Sequence, residues 1–426
     1  MVELNPLYLI FTFVLSIIYV WTLYNVPVTL AGVRRLLQDS RKEKKRSPLS
    51  YGKLPTVSVL VPVKNEEKVV GRLLKALLNL DYPSQKLEII IIDDGSTDKT
   101  IEICKEYVTR HPQRIRLLHR STSDGKPSAL NYGLKHAHGE VVATFDADNV
   151  PEPDTLLKAV EFFEDSSVDA LQGTICSINA DENMLTKFLS YEAAVRFKAY
   201  MQGKDVLRLF VHLAGTCQFI RREVLAKIGG WSKDSLSEDM EISARLTRNN
   251  YTIRYAPDIR SWEENPSTLG QLTNQRLRWY RGCLDAALKY GKLARRPTLR
   301  GIDAEITLVA PCMLTVSFLG FLMGVCISFI PVTYDPVLMV LAQSTMLLTL
   351  ITLLTAGLAL IYVTRPRRVA NLLWLPFIYI YWTLQTFVAS YALMQIVFRR
   401  PRNWKKTKRT GVVTNHALAE ETHAGI

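Results

Sequence analysis
Paired cysteines are missing from this sequence. Its six cysteines, at 104, 176, 217, 283, 312 and 326, show no Cys-x-x-Cys spacing. Two of them fall inside apolar runs, which excludes a disulfide framework and a zinc ribbon and fits a reducing compartment. No internal repeat and no low-complexity tract occurs. The N-terminal apolar run lacks a basic lead-in and a small-residue cleavage site, and it is too long for a signal peptide. Charge is missing altogether from four long stretches, 5–33, 306–334, 336–364 and 369–398. Each exceeds the roughly 20 apolar residues that cross a bilayer core. The sequence therefore predicts a membrane protein.

The charge that is present is unevenly placed. Net charge is +13, from 53 basic and 40 acidic side chains. The excess sits beside the apolar stretches, in Arg34-Arg35, Lys44-Lys45-Arg46, Arg367-Arg368 and the run from Arg399 to Arg409. Such clusters suit anionic headgroups and mark the cytoplasmic ends of spans. No recognition helix or aromatic–basic repeat is present, so nucleic acid is excluded as a partner and membrane lipids are expected instead. The expected organisation is a membrane helix at 1–33 and a basic cytoplasmic linker at 34–55. A soluble domain at 56–300 follows, then membrane helices at 301–398 and a basic tail at 399–426.

The soluble region opens on Val57-Ser58-Val59-Leu60-Val61-Pro62-Val63, a short β-branched run that predicts a buried strand. Val69, Val70, Leu73, Leu74, Leu77 and Leu78 then recur at helical spacing over 67–80. Leu87-Glu88-Ile89-Ile90-Ile91-Ile92 predicts a second buried strand ending in Asp93-Asp94-Gly95-Ser96, with a helix from Thr97. Further strands are expected at 114–119, 140–145 and 168–175. Strands alternating with helices predict an α/β fold with a parallel, doubly wound sheet of nucleotide-binding type, whose ligands sit beyond the carboxyl ends of the strands.

Four polar clusters carry candidate chemistry. Asp146-Ala147-Asp148 ends a strand with two carboxylates one residue apart. Two repelling acids suit a hard cation, Mg2+ or Mn2+, bridging to a diphosphate, although a solvated turn is the plain alternative. Asp93-Asp94 ends the earlier strand, where a carboxylate can accept from a uracil or ribose; a helix start is the alternative. Ser237-Glu238-Asp239 precedes an amphipathic stretch, 240–248. Acids there ordinarily complement a helix dipole, but an enzyme joining sugars needs a base for the acceptor hydroxyl. Gln275, Arg278 and Trp279 fall on one helical face. Arg suits a diphosphate and Trp a sugar ring, and an interfacial helix is the alternative.

In order and spacing these clusters resemble the family-2 glycosyltransferases, in particular the processive membrane-bound branch that includes cellulose, hyaluronan and poly-N-acetylglucosamine synthases. Lesser matches lie at Pro62-Val63-Lys64-Asn65-Glu66, Gly125-Lys126-Pro127-Ser128-Ala129-Leu130-Asn131, Gly215-Thr216 and Gly229-Gly230-Trp231. Ser237 stands where Thr is commoner, and Pro127 interrupts the usual Lys-Ala/Gly-Ala-Leu-Asn run. The resemblance implies a GT-A domain and a metal-dependent inverting enzyme. It implies that Glu66, Asp93 and Asp94 bind uridine, that Lys126 and Asp146 lie near the nucleotide, and that Asp148 binds the metal. Asp239 would be the base, and Gln275, Arg278 and Trp279 would hold the diphosphate and acceptor sugar, with Gly215-Thr216 lining the acceptor site. The implied partners are a UDP-sugar and a glycan or lipid-linked acceptor. Polymer synthesis is the leading expectation and single transfer to a membrane lipid the second. A non-catalytic scaffold would have lost a carboxylate, and none is lost.

The charge rule meets one conflict. If 369–398 crosses the membrane, four spans place the basic tail outside, against the rule; otherwise the stretch re-enters at Pro376 without crossing, which needs protein or water around its broken backbone, or the count elsewhere is off by one. Four spans are nevertheless the working expectation.

Overall fold
In a computed structural model the described residues are 6–39, 54–291, 298–329, 336–363, 369–402 and 406–414. Most of the basic linker, the turn near Pro331, Arg365-Pro366-Arg367-Arg368 and the last twelve positions, 415–426, lie outside them. A long helix α1 (Pro6–Asp39) leads into β1 (Val57–Val63), α2 (Val70–Leu78), β2 (Leu87–Asp94), α3 (Thr100–Arg110) and β3 (Ile115–Arg120). Next come α4 (Lys126–Leu134), β4 (Val141–Thr144), β5 (Val150–Pro151), α5 (Thr155–Phe162) and β6 (Ala170–Ser177). Helix α6 (Met184–Ala194) runs through a π-helical turn, Val195–Met201, into α7 (Gln202–Val206). There follow β7 (Gln218–Arg221), α8 (Arg222–Ile228), α9 (Glu238–Arg248), β8 (Ile253–Glu263) and α10 (Leu269–Tyr290). The chain continues through α11 (Leu299–Leu308), α12 (Ala310–Ser328), α13 (Pro336–Val363) and α14 (Leu375–Val397).

Among the described residues the strands form one sheet, ordered β3-β2-β1-β4-β7-β6-β8-β5. The expected parallel arrangement holds for β3-β2-β1-β4 and for the β6–β8 pair. It fails at β7, antiparallel to both neighbours, and at β5, antiparallel to β8. The connection from β6 leaves and re-enters at the same sheet edge, without a crossover, so β7 must run backwards. Helices cover both faces of β1 and β2, whose apolar runs are buried at nearly every position. The carboxyl ends of β1, β2 and β4 meet at one edge, which becomes the floor of the site.

Three helices, Leu9–Gln38, Gln343–Val363 and Val369–Val397, are long and apolar enough to cross a membrane. The pair α11–α12, bent by 59°, makes a fourth candidate. Helix α1 packs beside α12 and α13, with Tyr19 and Thr345 sharing a hydrogen bond. Its C-terminal half docks on the soluble domain through glycines. A Cβ on Gly32 would overlap the carbonyl of Ala199, and one on Gly203 the carbonyl of Val28. Tyr24 also donates to Asp303, which pairs with the fully buried Lys204 at 3.1 Å.

The last apolar stretch, one of the candidate spans, also packs along the folded domain. Both ends of the last apolar stretch touch the soluble domain. Trp374 stacks edge-on to Tyr191 of α6 at 5.5 Å, and Arg281 of α10 donates to Gln395 and to the Pro401 carbonyl, each at 2.9 Å. The tail 406–414 then lies on the soluble domain, where Glu264 receives the backbone N–H of Gly411 at 2.9 Å.

Candidate active site
The sheet edge opens into two adjoining cavities. The first, about 540 Å3, is floored by Pro62, Glu66, Asp94, Asp146 and Asp148. The second, about 440 Å3, holds Asp239, Gln275 and Trp279 and reaches Trp21, Met313 and Leu314 of the membrane helices. Lys126, Asp146, Glu238, Arg278 and Arg409 line both. Asp148 and Asp239, 91 positions apart in sequence (239 minus 148), therefore border one continuous space.

Strand alternation separates the first acidic pair. Asp94 faces the first cavity and accepts from Arg120 at 2.7 Å, Ser123 at 2.6 Å and the Gly125 N–H at 3.0 Å. Asp93 does not line it. Its carboxylate accepts the Ser96 N–H at 3.3 Å and pairs with His119 at 2.8 Å, holding the turn after β2. The uridine set implied by the resemblance is thus split, with Glu66 and Asp94 in the cavity and Asp93 behind it. Burial pushes the Glu66 carboxyl up to about 7, against the pull of Lys406.

Lys126 is the hub of the site. Gly125, at φ 87, caps α4 in a conformation that L side chains rarely adopt, and this aims Lys126 inward. Its ammonium lies 2.7 Å from Asp146, 2.9 Å from Glu238 and 3.0 Å from the Gly215 carbonyl. Burial raises the Asp146 carboxyl, and Lys126 only partly offsets this. Burial would raise Glu238 as well, but Lys126 outweighs it and holds Glu238 below the usual carboxylate range.

Asp239 sits in the first turn of α9. Its Oδ1 accepts from the Ser237 hydroxyl at 2.7 Å and from the Met240 N–H at 2.8 Å. No donor holds Oδ2 among the described residues, and it faces Gly215. Burial, then the neighbouring Glu238, raises its pKa. A fixed carboxylate with one free oxygen and raised basicity has the attributes of a general base.

Asp146 and Asp148 offer hard oxygen donors at the cavity wall. A six-coordinate cation could take both and complete its shell from phosphate and water, so the donor set fits Mg2+ or Mn2+. No group of three or more His, Cys, Asp or Glu suited to a metal occurs among the described residues. Cations of the chain neutralise both acids here, Lys126 on Asp146 and Arg409 on Asp148 at 3.1 Å.

Arg409 and Lys406 are site residues that the sequence reading missed. Their run reads as a membrane flank, whereas in the fold Lys406 and Arg409 line the first cavity, with Lys406 2.8 Å from Glu66. Glu263, raised to about 7 by burial and then by Asp148, lines the second cavity and was missed too. Its position at the end of an ordinary amphipathic strand gave no signal. Gln275, Arg278 and Trp279 share one face of α10, as spacing predicted, and all border the second cavity. The Trp279 ring, however, already carries the guanidinium groups of Arg276 at 4.3 Å and Arg196 at 5.6 Å.

Residues 55–282 match the family described as "Glycosyltransferase like family 2". Among curated relatives, the chain is 34% identical to the "Probable glycosyltransferase YdaM" of Bacillus subtilis, over 65% of this chain and 66% of that one. It is 37% identical to a β-monoglucosyldiacylglycerol synthase of Nostoc, over 57% of this chain and 52% of that one. It is 31% identical to a poly-β-1,6-N-acetyl-D-glucosamine synthase of Staphylococcus epidermidis, over 55% and 56%. It therefore spans about half to two thirds of these relatives. Among solved structures, a Pyrobaculum calidifontis mannosyltransferase in complex with GDP-mannose and Mn2+ superposes with a TM-score of 0.59 at 21% identity, over 91% of this chain and 100% of that one.

Proposed function
The chain belongs to the glycosyltransferase-like family 2, and from that premise we propose that it transfers a sugar, with inversion, from a UDP-sugar to a growing β-linked polysaccharide at the membrane. The observation that carries this is the pair of cavities joined at Lys126, Asp146 and Glu238, one lined by nucleotide-type acids and the other by a base. Glu66 and Asp94 accept hydrogen bonds from the uridine. Lys126, Arg278 and the tail cations Lys406 and Arg409 neutralise the diphosphate. Mg2+ or Mn2+, held by Asp148 and Asp146, would supply Lewis-acid stabilisation of the leaving group. Asp239 Oδ2 takes the proton of the acceptor hydroxyl. The acceptor oxygen, so deprotonated, bonds to the anomeric carbon as the bond to UDP breaks on the opposite face, which inverts the centre.

A cytoplasmic domain on a cell membrane suits this reading. Helices α1, α12 and α13 cross, α14 lies along the membrane face of the domain, and the tail stays with the catalytic cleft. Even numbers of crossings between domain and tail satisfy the charge rule.

Single transfer to a membrane lipid is the second reading. The specific observation favouring it is the apolar wall of the acceptor cavity at Trp21, Met313 and Leu314. Membranes holding the chain, given a panel of radiolabelled UDP-sugars with and without EDTA, decide between them. A high polymer or ladder supports the first reading and one discrete glycolipid the second. No label transfer with any UDP-sugar refutes both, and transfer indifferent to EDTA removes the metal.

A further inference from the structure
One cation of the acceptor cavity has no task in this scheme. Arg196 sits on the π-helical turn between α6 and α7, and such turns cluster at functional sites. The turn places Arg196 in the wall of the second cavity. Its guanidinium rests against Phe197 at 5.5 Å and Trp279 at 5.6 Å. No carboxylate pairs with it among the described residues. Neighbouring cations already face carboxylates, Lys126 with Asp146 and Glu238, Arg276 with Glu192 at 2.6 Å and Arg409 with Asp148, and Lys126 and Arg409 also have the diphosphate to serve in the scheme above. Arg278 borders the donor side as well and serves the diphosphate. Arg196 shares the wall of that cavity with the apolar side chains Trp21, Met313 and Leu314. A half-buried guanidinium beside such a wall lacks both full hydration and a counter-charge, and an anion arriving there gains a charge-assisted bond.

We propose that Arg196 receives the phosphate of the acceptor. The acceptor, or the primer on which a polymer starts, is a membrane lipid whose headgroup carries a phosphate beside a free hydroxyl. Its hydrocarbon lies against the membrane helices, its phosphate on Arg196 and its hydroxyl at Asp239. The hydroxyl is required because a phosphate monoester, with a second pKa of about 6, is ionised at neutral pH and needs no base, whereas the site supplies one. The proposal rests on the transferase reading and narrows its acceptor.

Binding tests it separately from catalysis. The purified full chain is titrated with dihexanoyl phosphatidylglycerol and with dihexanoylglycerol, which share their chains and differ in the phosphate. The wild type should prefer the phosphatidyl lipid by about tenfold or more, the strength of a charge-assisted hydrogen bond. Arg196→Gln should abolish that preference and Arg196→Lys should keep part of it, which guards against mere misfolding. Equal affinities in the wild type, or a preference that survives Arg196→Gln, overturn the proposal. So does inorganic phosphate displacing the lipid as effectively as the lipid displaces itself, since that marks a simple anion site. Because the readout is binding, the two readings fail separately: a chain that transfers no sugar but shows the Arg196-dependent preference refutes the enzyme reading, and the acceptor role with it, and leaves only a lipid-phosphate site at Arg196.

Discussion

Replacing Asp239 by Asn gives the sharpest trial of the site. The amide keeps Oδ1, so it still accepts from Ser237 and the Met240 N–H, which stand at 2.7 and 2.8 Å from the carboxylate. The amide nitrogen takes the place of Oδ2, the free oxygen facing Gly215, and cannot accept a proton there. The change is isosteric, so the fold and the donor side should survive. A positioned base contributes about 10²- to 10⁴-fold, which at 1.36 kcal/mol per decade is about 3 to 5 kcal/mol of transition-state stabilisation. The expected result is a fall of that size in kcat, with UDP affinity, read by calorimetry, held within about twofold. The pH profile supplies the second signature. The raised pKa of Asp239 makes wild-type kcat/KM climb through an elevated carboxyl pKa, since the base works only when deprotonated. The Asn variant should lose that limb. A loss in kcat under about tenfold, or an unchanged acid limb, would refute the assignment, because the proton would then have another destination.

Two further outcomes test the surroundings. Glu66 titrates near 7 in the folded chain against 4.5 ordinarily, because burial outweighs Lys406. A raised carboxyl pKa means that the native state holds the proton more tightly. Its contribution is therefore present below about 4.5 and lost as pH rises through 7, by on the order of 3 kcal/mol at most. Glu66→Gln should flatten the fall in thermal midpoint across that window, and an unaltered slope would discount the shift. Gly203→Val should force α1 away from the domain, since its Cβ would overlap the Val28 carbonyl. An overpacking cost of about 1–3 kcal/mol should appear as a lower thermal midpoint and faster proteolysis between α1 and the domain; a wild-type midpoint would show that the two helices are not locked together.

Much of the site is legible in one dimension because its parts are local. A strand ending in Asp94, another running into Asp146 and Asp148, and a helix starting at Asp239 each declare themselves by hydrophobic period and by the polar residue that stops it. Fold rules then bring strand ends to one edge. Trp279 shows the limit of that reasoning. Helical spacing put it on the right face, but its ring is covered by Arg196, 83 positions earlier (279 minus 196), and no periodicity reports such a partner.

What the sequence determined by itself is the α/β core, the apolar helices and the identity of the acids, since burial period and charge-free length are properties of short windows. Only the tertiary structure decided that β7 runs backwards, that Asp93 props a turn while Asp94 faces the cavity, and that the basic run at Lys406 and Arg409 closes over the cleft. The reason is physical. A cluster of lysines and arginines beside an apolar helix satisfies a lipid headgroup and a buried carboxylate equally well. Nothing in its composition says which anion it will meet until the chain has folded back on itself.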